Sequence, residues 1–75
     1  MTLFEGTTNG RYQIEGLYVE EDITRRLQAL GLNDGTLLSI LNRKKNGAMI
    51  IQVRGTRLAL GKHITSHIEV SEERA

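Results

Sequence analysis

Residues 36–61 read TLLSILNRKKNGAMIIQVRGTRLALG, and the fold turns on how they pair. Two runs, 36–42 and 49–54, alternate apolar and polar residues around the polar loop Arg43-Lys44-Lys45-Asn46-Gly47-Ala48. Period two on both sides of a Gly-containing loop predicts an antiparallel hairpin. Pairing Leu38 with Val53, Ile40 with Ile51 and Asn42 with Met49 gives one almost wholly apolar face, which is assigned to the core. The opposite face then pairs Leu37 with Arg54, Ser39 with Gln52, and Leu41 with Ile50. Further on, Gly55-Thr56 is expected at the tip of a second, tight hairpin. Leu58 and Leu60 then face inward, with Arg57 and Ala59 outward, and Gly61 ends the strand.

Upstream, residues 12–17 alternate Tyr12 and Ile14 against Gln13 and Glu15, a short half-buried strand that Gly16 breaks with a bulge or bend. Over 21–30 the period changes. Ile23, Leu27 and Leu30 fall at helical spacing among charged residues, and Glu21 and Asp22 stand where they complement the positive end of a helix dipole. Gly31 followed by Leu32 predicts a left-handed C-terminal cap with an apolar contact beyond it. So short a helix is marginal alone and must dock its stripe on the sheet. Asn33-Asp34-Gly35 forms a turn. Downstream, 62–67 reads as one helical turn with Ile64 inward, and Ile68 and Val70 as a closing strand. Phe4 is expected to anchor the N-terminal segment, and 71–75 to be a frayed tail. Strand, helix and four short strands predict an all-β fold, a small partly open barrel, with one short α-helix inserted after the first strand.

The chain has 75 residues, enough for one domain spanning 1–75 with its core at about 10–70, and a narrow stability margin of roughly 3–5 kcal/mol. It has no Cys, so disulfides and thiolate zinc sites are excluded. No apolar run approaches the ~18 residues of a membrane span, and Glu5 interrupts any signal-peptide pattern after Met1. The expectation is a cytoplasmic location without direct membrane insertion. Ten Lys+Arg against nine Asp+Glu leave a formal charge of +1. The first 34 residues carry three positive and six negative charges, net −3, and the remaining 41 carry seven and three, net +4. That is a mild dipole, not the strongly basic face that nucleic acid requires.

The run from Arg26 to Leu32 (RLQALGL), Gly35, the gap to Gly47, and the run from Val53 to Gly61 (VRGTRLALG) together resemble the FeoA family. Tyr12-Gln13-Ile14-Glu15-Gly16-Leu17 is similar to that family's opening strand, and Ile68-Glu69-Val70 to its closing one. Asp34 and Ala48 stand where family members often carry Pro, which loosens two turns. The resemblance covers about residues 10–70 and implies an SH3-like barrel with a helix after the first strand. It also implies a cytoplasmic accessory role in bacterial ferrous-iron uptake. The partner it implies is FeoB, a membrane transporter with a cytoplasmic GTP-binding domain. A similar domain closes iron-dependent repressors, so a regulatory module of that type, or a small nucleic-acid-binding barrel, is the alternative. With no helix-turn-helix attached, the stand-alone accessory is preferred.

Candidate contact residues follow from what the core leaves over. Leu37, Leu41 and Ile50 share the outward face. Either a loop or the N-terminal segment covers them, or they form a patch for a partner or a second copy of the chain in a weak homodimer. Arg43 and Lys44 supply a polar rim that steers an acidic partner, and Arg25 and Arg26 face out from the helix. A proline-rich ligand needs an aromatic groove, which Phe4, Tyr12 and Tyr18 without a Trp cannot build. His63 and His67 share one side of a helical turn but lack further ligands, so no metal site is assigned. No nucleophile, phosphate-binding Gly loop or inward carboxylate pair appears. No catalytic or cofactor-binding residue is expected, and the chain reads as a binding module rather than an enzyme.

Overall fold

A computed structural model describes residues 1–73. Five strands form one antiparallel sheet: β1 (Arg11–Leu17), β2 (Leu37–Arg43), β3 (Met49–Val53), β4 (Thr56–Leu60) and β5 (Ile68–Glu72). Their order across the sheet is β4-β3-β2-β1-β5. Helix α1 (Glu21–Ala29) follows β1, and the single turn α2 (Lys62–Thr65) links β4 to β5. Ile14, Leu38, Ile40, Met49, Ile51, Val53, Ile68 and Val70 line the inner face of the curled sheet.

Helix α1 is built as its residues require. Glu21 and Asp22 open it, and each meets an arginine one turn on, Arg25 and Arg26. Its end is a Schellman motif: the Leu32 N–H donates to Leu27 O (2.9 Å) and the Gly31 N–H to Gln28 O (3.0 Å). Gly31 takes φ +101°, a conformation that favours glycine. Leu27 and Leu32 are both buried, whereas Leu30 is half exposed. The expected stripe thus loses Leu30: as the cap residue it precedes the reversal at Gly31, and Leu32 takes the inward position. The buried Thr36 hydroxyl bonds the Gly31 carbonyl (3.1 Å), tying the helix end to β2.

The first hairpin differs from its expected register. Ser39 opposes Gln52 and Ile40 opposes Ile51, but beyond a bulge Asn42 opposes Ile50 and Arg43 opposes Met49. The expected Asn42–Met49 and Leu41–Ile50 pairs do not form. The uninterrupted register would have put the Asn42 amide on the buried face beside Met49, at the cost of an unpaired polar group. With Leu41 as the extra residue, Asn42 is exposed and Met49 stays buried. The bulge at Gly16 appears as expected, between β1 and β5.

The second hairpin tip lies one residue earlier than expected. Val53 opposes Thr56, so Arg54-Gly55 is the two-residue loop, with φ +50° and +80°. Positive φ at both positions is the turn that matches strand twist.

The ends are also tighter than expected. Leu3, in a 3-10 turn over Leu3–Glu5, is fully buried, whereas Phe4 is only half-buried. The core therefore reaches beyond 10–70. Of the expected tail, Ser71 and Glu72 pair with β1, and the Glu73 N–H donates to Arg11 O (3.0 Å). Residues 74 and 75 lie outside the described part. Deep pairing with β1 explains why 71–73 are held rather than frayed.

Candidate functional site

With its apolar residues spent inside, the chain exposes few large ones. Leu37 is 45% exposed, and it sits in a shallow hollow of about 310 Å³ lined by Arg11, Leu37, Leu38, Ser39, Gln52 and Arg54. Strand pairing explains the grouping: Arg11 lies opposite Ser39, Ser39 opposite Gln52, and Gln52 opposite Arg57. One outward row thus crosses four strands, ending at Arg11 and Arg57, and Arg54 joins the hollow from the loop between β3 and β4. The Arg11 Nε is paired with Glu73 (2.9 Å), while Arg54 makes no ion pair among the described residues. Leu41 and Ile50 are half-buried and outside the apolar cluster of the core.

The expected contact residues do not all gather there. Arg43 turns away: its guanidinium donates to the carbonyls of Phe4 and Gly6 and lies 5.1 Å from the Phe4 ring centroid. It braces the N-terminal turn against β2. Lys44 is exposed at the hairpin tip, where its N–H donates to Ala48 O and its carbonyl accepts from Gly47. Arg25 and Arg26 stand on the open side of α1 in their ion pairs. Because β3 runs between the two hairpin tips, Lys44 and Lys45 lie at one end of the sheet and Arg54 at the other. The basic residues are divided rather than massed. The expected hairpin pairing already puts Arg54 beside Leu37 on the outward face, without giving it a contact role, whereas Arg11 escapes it; extending the β2 pairing back to β1 would have found Arg11.

His63 acquires a partner that spacing could not reveal. Its Nε2 lies 2.9 and 3.1 Å from the Glu20 carboxylate oxygens, linking α2 to the start of α1. The His67 Nδ1–H donates to His63 O (2.7 Å). Among the described residues no three His, Cys, Asp or Glu side chains are arranged to hold a metal. The hydrogen bond from His63, with a lesser one from backbone, holds the Glu20 carboxyl below its ordinary value of 4.5. A carboxylate depressed in this way stabilises the fold above that ordinary value, and the contribution is lost as pH falls through the folded one. The melting midpoint should therefore fall more steeply below about pH 4.5 in the wild type than in Glu20→Gln. Both partners are exposed, so the difference should be small and should vanish in ~1 M salt, where the screening length is ~3 Å. Acid melts at two salt concentrations check this.

No helix of the described residues is long and apolar enough to cross a membrane. The FeoA domain family model matches residues 1–72. Among curated proteins no match is found. Of solved structures, the FeoA protein from Chlorobium tepidum superposes with a TM-score of 0.91 at 26% identity, covering 96% of this chain and 70% of that one. The zinc-complexed FeoA of Stenotrophomonas maltophilia, described as an SH3 domain protein and a candidate ferrous iron transport activating factor, gives 0.81 at 26% identity, covering 95% and 89%. The manganese regulator SloR gives 0.82 at 22% identity, covering 96% of this chain but 34% of its own, a likeness of fold alone. The barrel, its inserted helix and a match over nearly every residue lead to one conclusion: the chain belongs to the FeoA family, with an SH3-like fold.

Proposed function

We propose that this chain is a cytoplasmic accessory protein of bacterial ferrous-iron uptake, which binds the cytoplasmic GTP-binding domain of a FeoB-type membrane transporter and modulates it. The observation that carries this reading is Leu37, left 45% exposed in a hollow between two arginines on a chain of the FeoA family. The contact face is the outer side of β2 and β3, with Leu37, Leu41 and Ile50 as its apolar part. Lys44, Arg25 and Arg26 act at longer range, steering an acidic partner. Arg43 shapes the face by bracing the N-terminal turn. Such a module acts only through different affinities for two states of its partner.

Leu37→Asp tests this directly. An exposed position tolerates the change within about 0.5 kcal/mol of stability. At the centre of an interface it should weaken binding by roughly 2 kcal/mol, about thirtyfold. Calorimetric titration of the transporter's GTP-binding domain checks the affinity, and thermal melts check the fold. Binding equal to wild type would remove this face from the site. Leu41→Asp should also weaken binding, and its collapse instead would assign the bulged Leu41 to the core.

A further inference from the structure

The loop between β3 and β4 carries an unfavourable residue for its turn. Two-residue loops with positive φ at both positions are normally Asn-Gly or Asp-Gly. Here the pair is Arg54-Gly55, with φ +50° at Arg54. A long side chain in the left-handed region strains the backbone, and such strain is kept where the side chain serves another purpose. Nothing inside the molecule claims its charge. Arg54 makes no ion pair among the described residues.

Its stem shows where that charge is delivered. The Arg54 Cδ lies 3.5 Å from where a Cβ on Gly31 would stand, so the side chain crosses the bare backbone at the end of α1. It also lines the hollow that holds Leu37. Leu30, the residue before Gly31, is 50% exposed and Leu37 is 45% exposed. The Thr36 hydroxyl brings the two together, because its bond to Gly31 O (3.1 Å) sets the start of β2 against the helix end. Two of the four large apolar residues left exposed among the described residues thus share one end of the sheet, joined by one arginine.

We infer that Leu30, Arg54 and Leu37 form one recognition surface, which takes a partner segment carrying a carboxylate among apolar side chains. The inference rests on the transporter reading and deepens it, naming the chemistry the partner must present. A guanidinium holds a carboxylate through two parallel hydrogen bonds, while its stem covers the apolar surface beside it. The two leucines exclude water from around that pair. A nucleic acid or an anionic membrane fits less well, since each needs a field of cations. Arg11 is already paired with Glu73, and Lys44 and Lys45 stand at the far end of the sheet. Only Arg57, opposite Gln52, adds an unpaired charge to this row.

Calorimetric titration of the full chain with the transporter's GTP-binding domain, beside thermal melts, tests it. Arg54→Asn restores the favoured Asn-Gly loop, so its melting midpoint should equal or exceed that of the wild type. Its binding should nevertheless weaken about tenfold or more. Wild-type affinity should fall from ~0.1 to ~1 M salt, where the screening length shrinks from ~10 to ~3 Å, and that of Arg54→Asn much less. Leu30→Ala should keep the melting midpoint and weaken binding severalfold. A lower midpoint for Arg54→Asn would assign the arginine to the fold and overturn the inference. Wild-type affinity in Arg54→Asn or in Leu30→Ala overturns it too, and if Leu37→Asp still weakens binding, the transporter reading survives. A wild type that does not bind the domain removes both.

Discussion

Leu27→Ala should lower stability by ~2–5 kcal/mol, most of what a domain of this size has. Leu27 is the one helix residue that is fully committed to the core. Its side chain fastens a helix of nine residues that is too short to persist alone. Its carbonyl also accepts the Leu32 N–H that completes the cap. Truncation leaves a cavity beneath the helix within the core cluster that also holds Leu32. At ~4–8 °C per kcal/mol for a domain this small, the melting midpoint should drop by roughly 8–40 °C. Leu30→Ala is the matched control. Leu30 is half exposed, so its loss should cost less than ~0.5 kcal/mol. Denaturant unfolding with an unchanged m-value checks both. Equal losses at the two positions would contradict the docking of α1 described above.

Leu3→Ala should be nearly as damaging, although it lies in a segment that the residue pattern leaves outside the core. Leu3 is fully buried, and the 3-10 turn that presents it is held on both sides. The Glu5 carboxylate accepts the Thr2 N–H (2.7 Å), which with the Thr2 hydroxyl keeps its pKa below the ordinary value. Arg43 reaches across to the carbonyls of Phe4 and Gly6. The expected cost is again ~2–5 kcal/mol. Phe4→Ala should cost less. Phe4 is half-buried, its ring packed against the edge of the core and facing Arg43 and Lys62, contacts worth ~0.5–1 kcal/mol each at an exposed site. Paired chemical denaturation of the two variants checks the order. A larger loss for Phe4 than for Leu3 would show that the wrong residue has been assigned to the core.

Much of the fold could be read from local signals. The cap at Gly31 needed only the step from helical period to a glycine and a leucine. The bulge at Gly16 and the pairing of Ile40 with Ile51 followed from period two. What escaped was set by contacts distant in sequence. Leu41 became a bulged residue because Asn42 could not be buried beside Met49, a choice visible only once both strands are in place. Leu3 and Phe4 are neighbours with similar hydropathy. Which one enters the core depends on the turn that Thr2 and Glu5 close and on an arginine almost forty residues away. The contact face was legible in part. Leu37 could be placed from its strand and Arg54 beside it from the expected hairpin, whereas Arg11 joins them only through β1 pairing. The partnership of Glu20 with His63 joins two elements that no spacing rule connects.

The most direct measurement is a nuclear magnetic resonance titration of the isotope-labelled chain with the transporter's isolated GTP-binding domain, run without nucleotide, with GDP and with a non-hydrolysable GTP analogue. Saturable shifts centred on Leu37, Ser39, Ile50 and Gln52 are expected, with different affinities in at least two nucleotide states. Shifts absent in all three states, or confined to α2 and the opposite side of the sheet, would contradict the proposed contact.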